Sequence, residues 1–145
     1  MIQDTFKVTG DVSITVFDKT GAVKEQREIK NLVVTVGKEF IAARMVGTPA
    51  VMSHMALGSS STAAAAGDSA LGTELGRVAL GSAASSGTVV TYTANFPAGT
   101  ATGAVVEAGV LNADTAGTML CRTVFAVVNK GADDTMAVTW QITVS

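Results

Sequence analysis

Apolar and polar positions alternate with a period of two along most of this chain, the pattern of strands that bury one face. Val12, Ile14 and Val16 alternate with Asp11, Ser13 and Thr15. Asp18-Lys19-Thr20-Gly21 then reads as a turn, where glycine supplies any positive φ. Residues 22–30 predict a return strand too polar on both faces to lie centrally in a sheet. The pair, over about residues 8–30, reads as an exposed hairpin whose charges discourage edge-to-edge pairing. The period changes once, over residues 36–46. There Val36, Phe40, Ile41 and Met45 gather on one side and Lys38, Glu39 and Arg44 on the other, which predicts a short helix. Thr35 is the candidate cap at its start, and Gly47 with Pro49 should end it.

Alternation returns in segments 52–57, 78–80, 88–96, 104–112, 119–128 and 135–144. Turn-forming clusters separate the later ones at 82–87, 97–103, 114–117 and 129–134. In the last segment Met136, Val138, Trp140, Ile142 and Val144 form an unbroken apolar face opposite Ala137, Thr139, Gln141 and Thr143. About seven or eight short strands with regular turns imply a mainly β chain, an antiparallel sandwich or jelly-roll-like barrel with one short helix. Residues 1–145 read as a single domain, and no internal repeat is visible. Residues 58–70 (GSSSTAAAAGDSA) form a low-complexity loop without core-forming side chains. Long loops in small domains are usually functional or mobile. The expectation here is either an arm lying on a neighbouring subunit or a free surface loop.

Charge changes the picture. Of the 22 formal charges, 13 lie in residues 1–44, and the 101 residues that follow carry only Arg77, Arg122, Lys130 and six acids. Charged residues make up 15% of the chain, against about 25% in an ordinary soluble domain. A long stretch of Ala, Gly, Ser, Thr and Val with so little charge suggests a surface that other subunits cover. The net charge of -2 leaves no basic stripe, which argues against a nucleic-acid partner. One cysteine excludes an intramolecular disulfide framework. No run reaches the about 18 apolar residues that span a bilayer, so no membrane partner is expected. Met-Ile-Gln-Asp-Thr-Phe-Lys lacks the basic-then-apolar order of a secretory signal, and folding in a cytoplasm is expected.

Few residues suggest chemistry. His54 is the only histidine, with no Cys, Asp or Glu close to it in sequence, and reads as a partly buried ring at a strand edge. Cys121 shares a strand face with Met119, Thr123 and Phe125, where a small apolar side chain belongs; Arg122 points to the opposite face. Glu107 interrupts the apolar run 105–111, and a buried carboxylate needs a partner. Arg122 or Arg77 is the candidate, forming a structural ion pair. Asp114, Asp133 and Asp134 lie in turn segments, without the spacing of a calcium loop. Phosphate-cradling glycine motifs and a nucleophile elbow are absent. The chain is therefore expected to be no enzyme and to need no cofactor or metal. Asp18, Lys19, Lys24 and Arg27 of the hairpin, with Ser59, Ser60, Ser61, Ala64 and Ala65 of the loop, are the candidate interface residues.

A further reading comes from resemblance. Asn31-Leu32-Val33-Val34, Gly37-Lys38-Glu39-Phe40-Ile41-Ala42, the 52–58 stretch MSHMALG and Leu71-Gly72-Thr73-Glu74 followed by Arg77 resemble small virion structural proteins of tailed bacteriophages. So do Glu107-Ala108-Gly109-Val110-Leu111, Leu120-Cys121-Arg122-Thr123, Asn129-Lys130 and Val138-Thr139-Trp140-Gln141-Ile142. Order and spacing carry the likeness, over most of the chain after residue 30. It implies a non-enzymatic capsid cement or decoration protein on the outside of a virion, made in the host cytoplasm. Its expected partners are the major capsid protein and other copies of itself, as a dimer or trimer. A tail-associated adaptor or tail-fibre subunit, or a host receptor-binding module, is the alternative.

Overall fold

A computed structural model describes residues 6–145. Among them nine strands and one helix follow in the order β1 (Val8–Phe17), β2 (Val23–Val33), α1 (Thr35–Arg44), β3 (His54–Gly58), β4 (Glu74–Ala79), β5 (Ser82–Ser86), β6 (Val89–Phe96), β7 (Gly103–Leu111), β8 (Met119–Lys130) and β9 (Thr135–Val144). Every pairing is antiparallel, in one sheet of order β4-β3-β7-β8-β2-β1-β9-β6-β5. The sheet curls into a half-barrel, the sandwich- or barrel-like β architecture that the alternation predicts.

The apolar face of β9 is the spine of the core. Met136, Val138, Trp140 and Ile142 are all buried. In register, Val12 stands opposite Trp140, Ile14 opposite Val138 and Val16 opposite Met136 on one side. Tyr92, Ala94 and Phe96 of β6 flank the same residues on the other. Each large aliphatic or aromatic side chain buried here contributes about 1.5–3 kcal/mol. The same cluster takes in Met55, Leu57, Val105, Ala108, Val110, Leu120 and Cys121 from the other half of the sheet.

Two features make the sheet curl. First, β2 joins the halves through only two pairs with β8, Leu32 with Arg122 and Val33 with Cys121. Beyond them β8 sets the three residues 125–127 against the single Val106 of β7. Such a bulge bends its strand and raises the local twist. Second, the terminal strands β4 and β5 are nearly consecutive in the chain. Leu80 donates its N–H to Ser53 O in one half at 2.9 Å, and Gly81 donates to Thr93 O in the other at 2.7 Å.

Several expectations need correction. Strand β2 is fifth in the order of nine, but only through Leu32 and Val33, which extend it beyond the expected return strand 22–30. Its polar part pairs only with β1, while its last two residues reach β8. Residues 82–86, which the sequence assigns to a turn, form strand β5. All five are small and exposed, so they carry no alternation, and pairing with β6 alone defines the strand. Helix α1 has Val34 at its N-cap without a side-chain hydrogen bond, so Thr35 is not the cap. Backbone partners replace it: Val34 N–H donates to Leu120 O, and Thr35 N–H to Ala66 O. Met45 lies past the helix end and is 83% exposed, off the packed face.

Gly37 is the helix residue that makes the docking possible. It is the only buried residue of α1, and a Cβ there would lie 2.0 Å from Leu120 O. A backbone oxygen in a central strand cannot step aside. Gly37→Ala should therefore lower stability by about 1–3 kcal/mol, outweighing the roughly 1 kcal/mol that alanine gains over glycine in helix propensity. Urea unfolding of the two proteins measures the difference.

Candidate functional site

Residues 59–73 connect β3 to β4 and fold back as a strap over the sheet. Alternate residues of β7 face two ways: Ala108 and Val110 join the main core, while Leu111 belongs to a second cluster with Val34, Ala56 and Met119. Val36 and the strap residue Leu71 pack against this second cluster. The strap thus lies on its own domain, neither a free loop nor an arm reaching away from it.

Glu107 anchors it, with 0% of its surface exposed. Oε1 accepts from Gly72 N–H at 2.8 Å and from Arg122 Nε at 3.1 Å. Oε2 accepts from the N–H groups of Ser60 and Thr73, each at 2.8 Å. A carboxylate has about four acceptor positions, and all four are filled. Arg122, 2% exposed, spends its other nitrogens on the strap: Nη1 donates to Asp68 Oδ2 and Nη2 to Thr62 O, both at 2.9 Å. Desolvating each ion costs several kcal/mol. Charge-assisted hydrogen bonds at about 1.5–3 kcal/mol each offset that cost. Gly58 permits the close approach, since a Cβ there would stand 2.5 Å from both Glu107 Oε2 and Thr73 O. With its lone pairs occupied, the carboxylate is a fastener and has no position left from which to take a substrate proton.

Of the two candidate partners for Glu107, the structure brings in Arg122 and puts Arg77 elsewhere. Arg77 pairs with Glu74 at 2.7 Å and donates to Ala113 O and Ala116 O, pinning the β7–β8 turn to β4. The hairpin residues have local partners too. Asp18 Oδ1 accepts from the N–H groups of Thr20 and Ala22 and from the Thr20 hydroxyl, and these bonds hold its carboxyl below the usual value. Arg27 pairs with Glu25, while Lys19 stands exposed. Lys24 Nζ reaches Asp134 Oδ2 at 2.6 Å, tying β2 to the β8–β9 turn. Ser59, Ser61 and Ala65 are exposed on the strap; Ser60 and Ala64 are half-buried.

Three other groups stand outside this network. Cys121 is fully buried, and desolvation pushes its thiol far above the usual range. Burial likewise raises the Tyr92 phenol. His54 Nδ1 lies 2.8 Å from the hydroxyl of Ser53, its chain neighbour. Among the described residues no three His, Cys, Asp or Glu side chains converge as a metal cage. Sequence reasoning missed Asp68, Thr62, Gly72 and Thr73 as members of the Glu107–Arg122 network. Asp68, the only charge within a Ser/Ala/Gly stretch, was the one available signal. Set beside family models, curated proteins and solved structures, the chain matches none.

Glu107→Gln removes the charge that Arg122 and three backbone N–H groups share. Breaking a buried pair in this way should cost about 3–5 kcal/mol, and amide exchange at Ser60, Gly72 and Thr73 should speed up ahead of the core strands. Hydrogen exchange followed residue by residue checks both the site and the size of the effect. A second outcome concerns pH. Hydrogen bonds from Lys24 and the Gly131 N–H hold the Asp134 carboxyl below its ordinary 3.8. The unfolded chain therefore binds a proton first as pH falls, and this stabilisation is complete above 3.8 and vanishes below the folded value. The stability gap between the natural protein and Asp134→Asn should close on acidification, which melting curves recorded from neutral to acid pH will reveal.

Proposed function

We propose that this chain is a non-enzymatic structural subunit of a tailed-phage particle, a cement protein that clamps neighbouring major-capsid subunits from outside. The observation that carries the reading is the make-up of its exposed segments. On the strap, Ser59, Ser61, Thr62, Ala63, Ala65, Ala66, Ser69 and Ala70 are exposed, and so are all five residues of β5. These are small, uncharged side chains on backbone held by a fastened strap and a paired strand. Such a surface loses little side-chain entropy on contact and has little charge to desolvate, which suits burial in an assembly.

The resemblance supplies the kind of assembly, and the geometry of Glu107 supports a mechanical role. Many modest contacts repeated over a lattice would add up by multivalency, so no single contact needs to be tight. Closed symmetry, as a dimer or trimer, is the expected way for copies to meet.

Quantitative mass spectrometry of purified particles tests the reading directly. A simple whole-number ratio of this chain to the major capsid protein is the expected result. A handful of copies per particle would move it to the tail or portal, and its absence from particles would overturn the proposal.

A further inference from the structure

Between α1 and the start of β1 lies an open cleft of about 480 Å³ whose apolar walls are Phe6, Val8, Ile41 and Met45. Clefts that take ligands span about 300–1,000 Å³. Phe6 is 66% exposed and Met45 83%, and Val46, next in the chain, is 94% exposed. Large apolar side chains grouped in solvent mark an interaction site more often than isolated ones do. The rest of the helix explains why they are there: Gly37 takes the docked side, and Met45 and Val46 follow the helix end, off that side.

The cleft also has a sign. Lys7 and Lys38 line it, and among the described residues no acidic side chain does. A second copy meeting this face through the same patch would set Lys7 and Lys38 against their counterparts, which like-charge repulsion disfavours. A segment with apolar side chains and carboxylates satisfies both features at once.

We propose that this cleft receives an extended, apolar, acidic segment of the protein to which the chain attaches. The inference rests on the cement reading and adds to it a docking face away from the strap. Apolar side chains of the incoming segment cover Phe6, Ile41 and Met45, while its carboxylates meet the Lys7 and Lys38 ammonium groups at the rim. Rim charges mainly set partner choice and salt dependence, and the apolar contact holds the complex.

The test uses the full chain, ¹⁵N-labelled, titrated with three soluble decapeptides: alternating Val and Glu, alternating Val and Lys, and alternating Ser and Glu. Shifts at Thr9, Ala42 and Met45 with the Val/Glu peptide alone are the expected result. Met45→Asp should abolish them without changing the melting temperature, because Met45 is exposed. The double change Lys7→Glu and Lys38→Glu should weaken Val/Glu binding about tenfold or more and favour the Val/Lys peptide. Equal binding of all three peptides, no shifts at these residues, or binding unaffected by Met45→Asp would overturn the proposal. So would deletion of residues 1–5 shifting the same resonances with no further effect of peptide, since the occupant would then be this chain's own terminus. None of these results depends on finding the chain in particles, so failure of the cleft and failure of the cement reading are told apart.

Discussion

A single carboxylate with every lone pair occupied holds the outer layer of this protein together. Glu107 gathers three strap N–H groups and the Arg122 guanidinium, and Arg122 passes the restraint on to Asp68 and Thr62. The strap in turn meets α1, because Ala66 O accepts the Thr35 N–H. Strap, helix entry and the β7–β8 face are therefore one mechanical unit. The strap itself contributes little apolar area, mainly Leu71. Hydrophobic burial alone could not hold a fifteen-residue strap, thirteen of them Ser, Ala, Gly or Thr, in place against its conformational entropy. A buried, fully hydrogen-bonded ion pair fixes one arrangement, which is the best-attested use of such pairs.

The inner layer has a different logic. It is built from alternating strands around Trp140 and depends on area and packing rather than on charge. The two halves of the sheet that encloses it meet at a narrow junction, the two pairs between β2 and β8. The bulge at 125–127 lies beyond the end of that ladder, and the Lys24–Asp134 bridge ties the far end of β2 to the β8–β9 turn. The free edge of β2 is dense in charge and that of β8 is bulged, both features that discourage unwanted strand addition.

This division suits a protein whose proposed task is adhesion. A rigid interior fixes the strap and β5, whose exposed side chains are small and neutral, while charged groups are concentrated in the hairpin and around the helix. The cleft beside α1 combines exposed apolar walls with two lysines, a surface of a different chemistry from the strap.

What the sequence determined by itself was most of what depends on short-range pattern. Period two in 135–144 specified a buried strand because each side chain's face follows from its position alone. The β class, the helix near 36–46 and the need of Glu107 for a cation followed from the same local physics. Tertiary structure decided the rest. Arg77 and Arg122 are equivalent in sequence, and only strand order puts the second beside Glu107 while the first reaches the β7–β8 turn. Strand β5 has no pattern of its own, since residues exposed on both faces leave no alternation to read. The helix is docked through a glycine, and a missing side chain gives no hydrophobic signal. The strap's seat on its own domain was not legible because it is held by its backbone N–H groups, which every residue but proline carries and which no sequence pattern distinguishes.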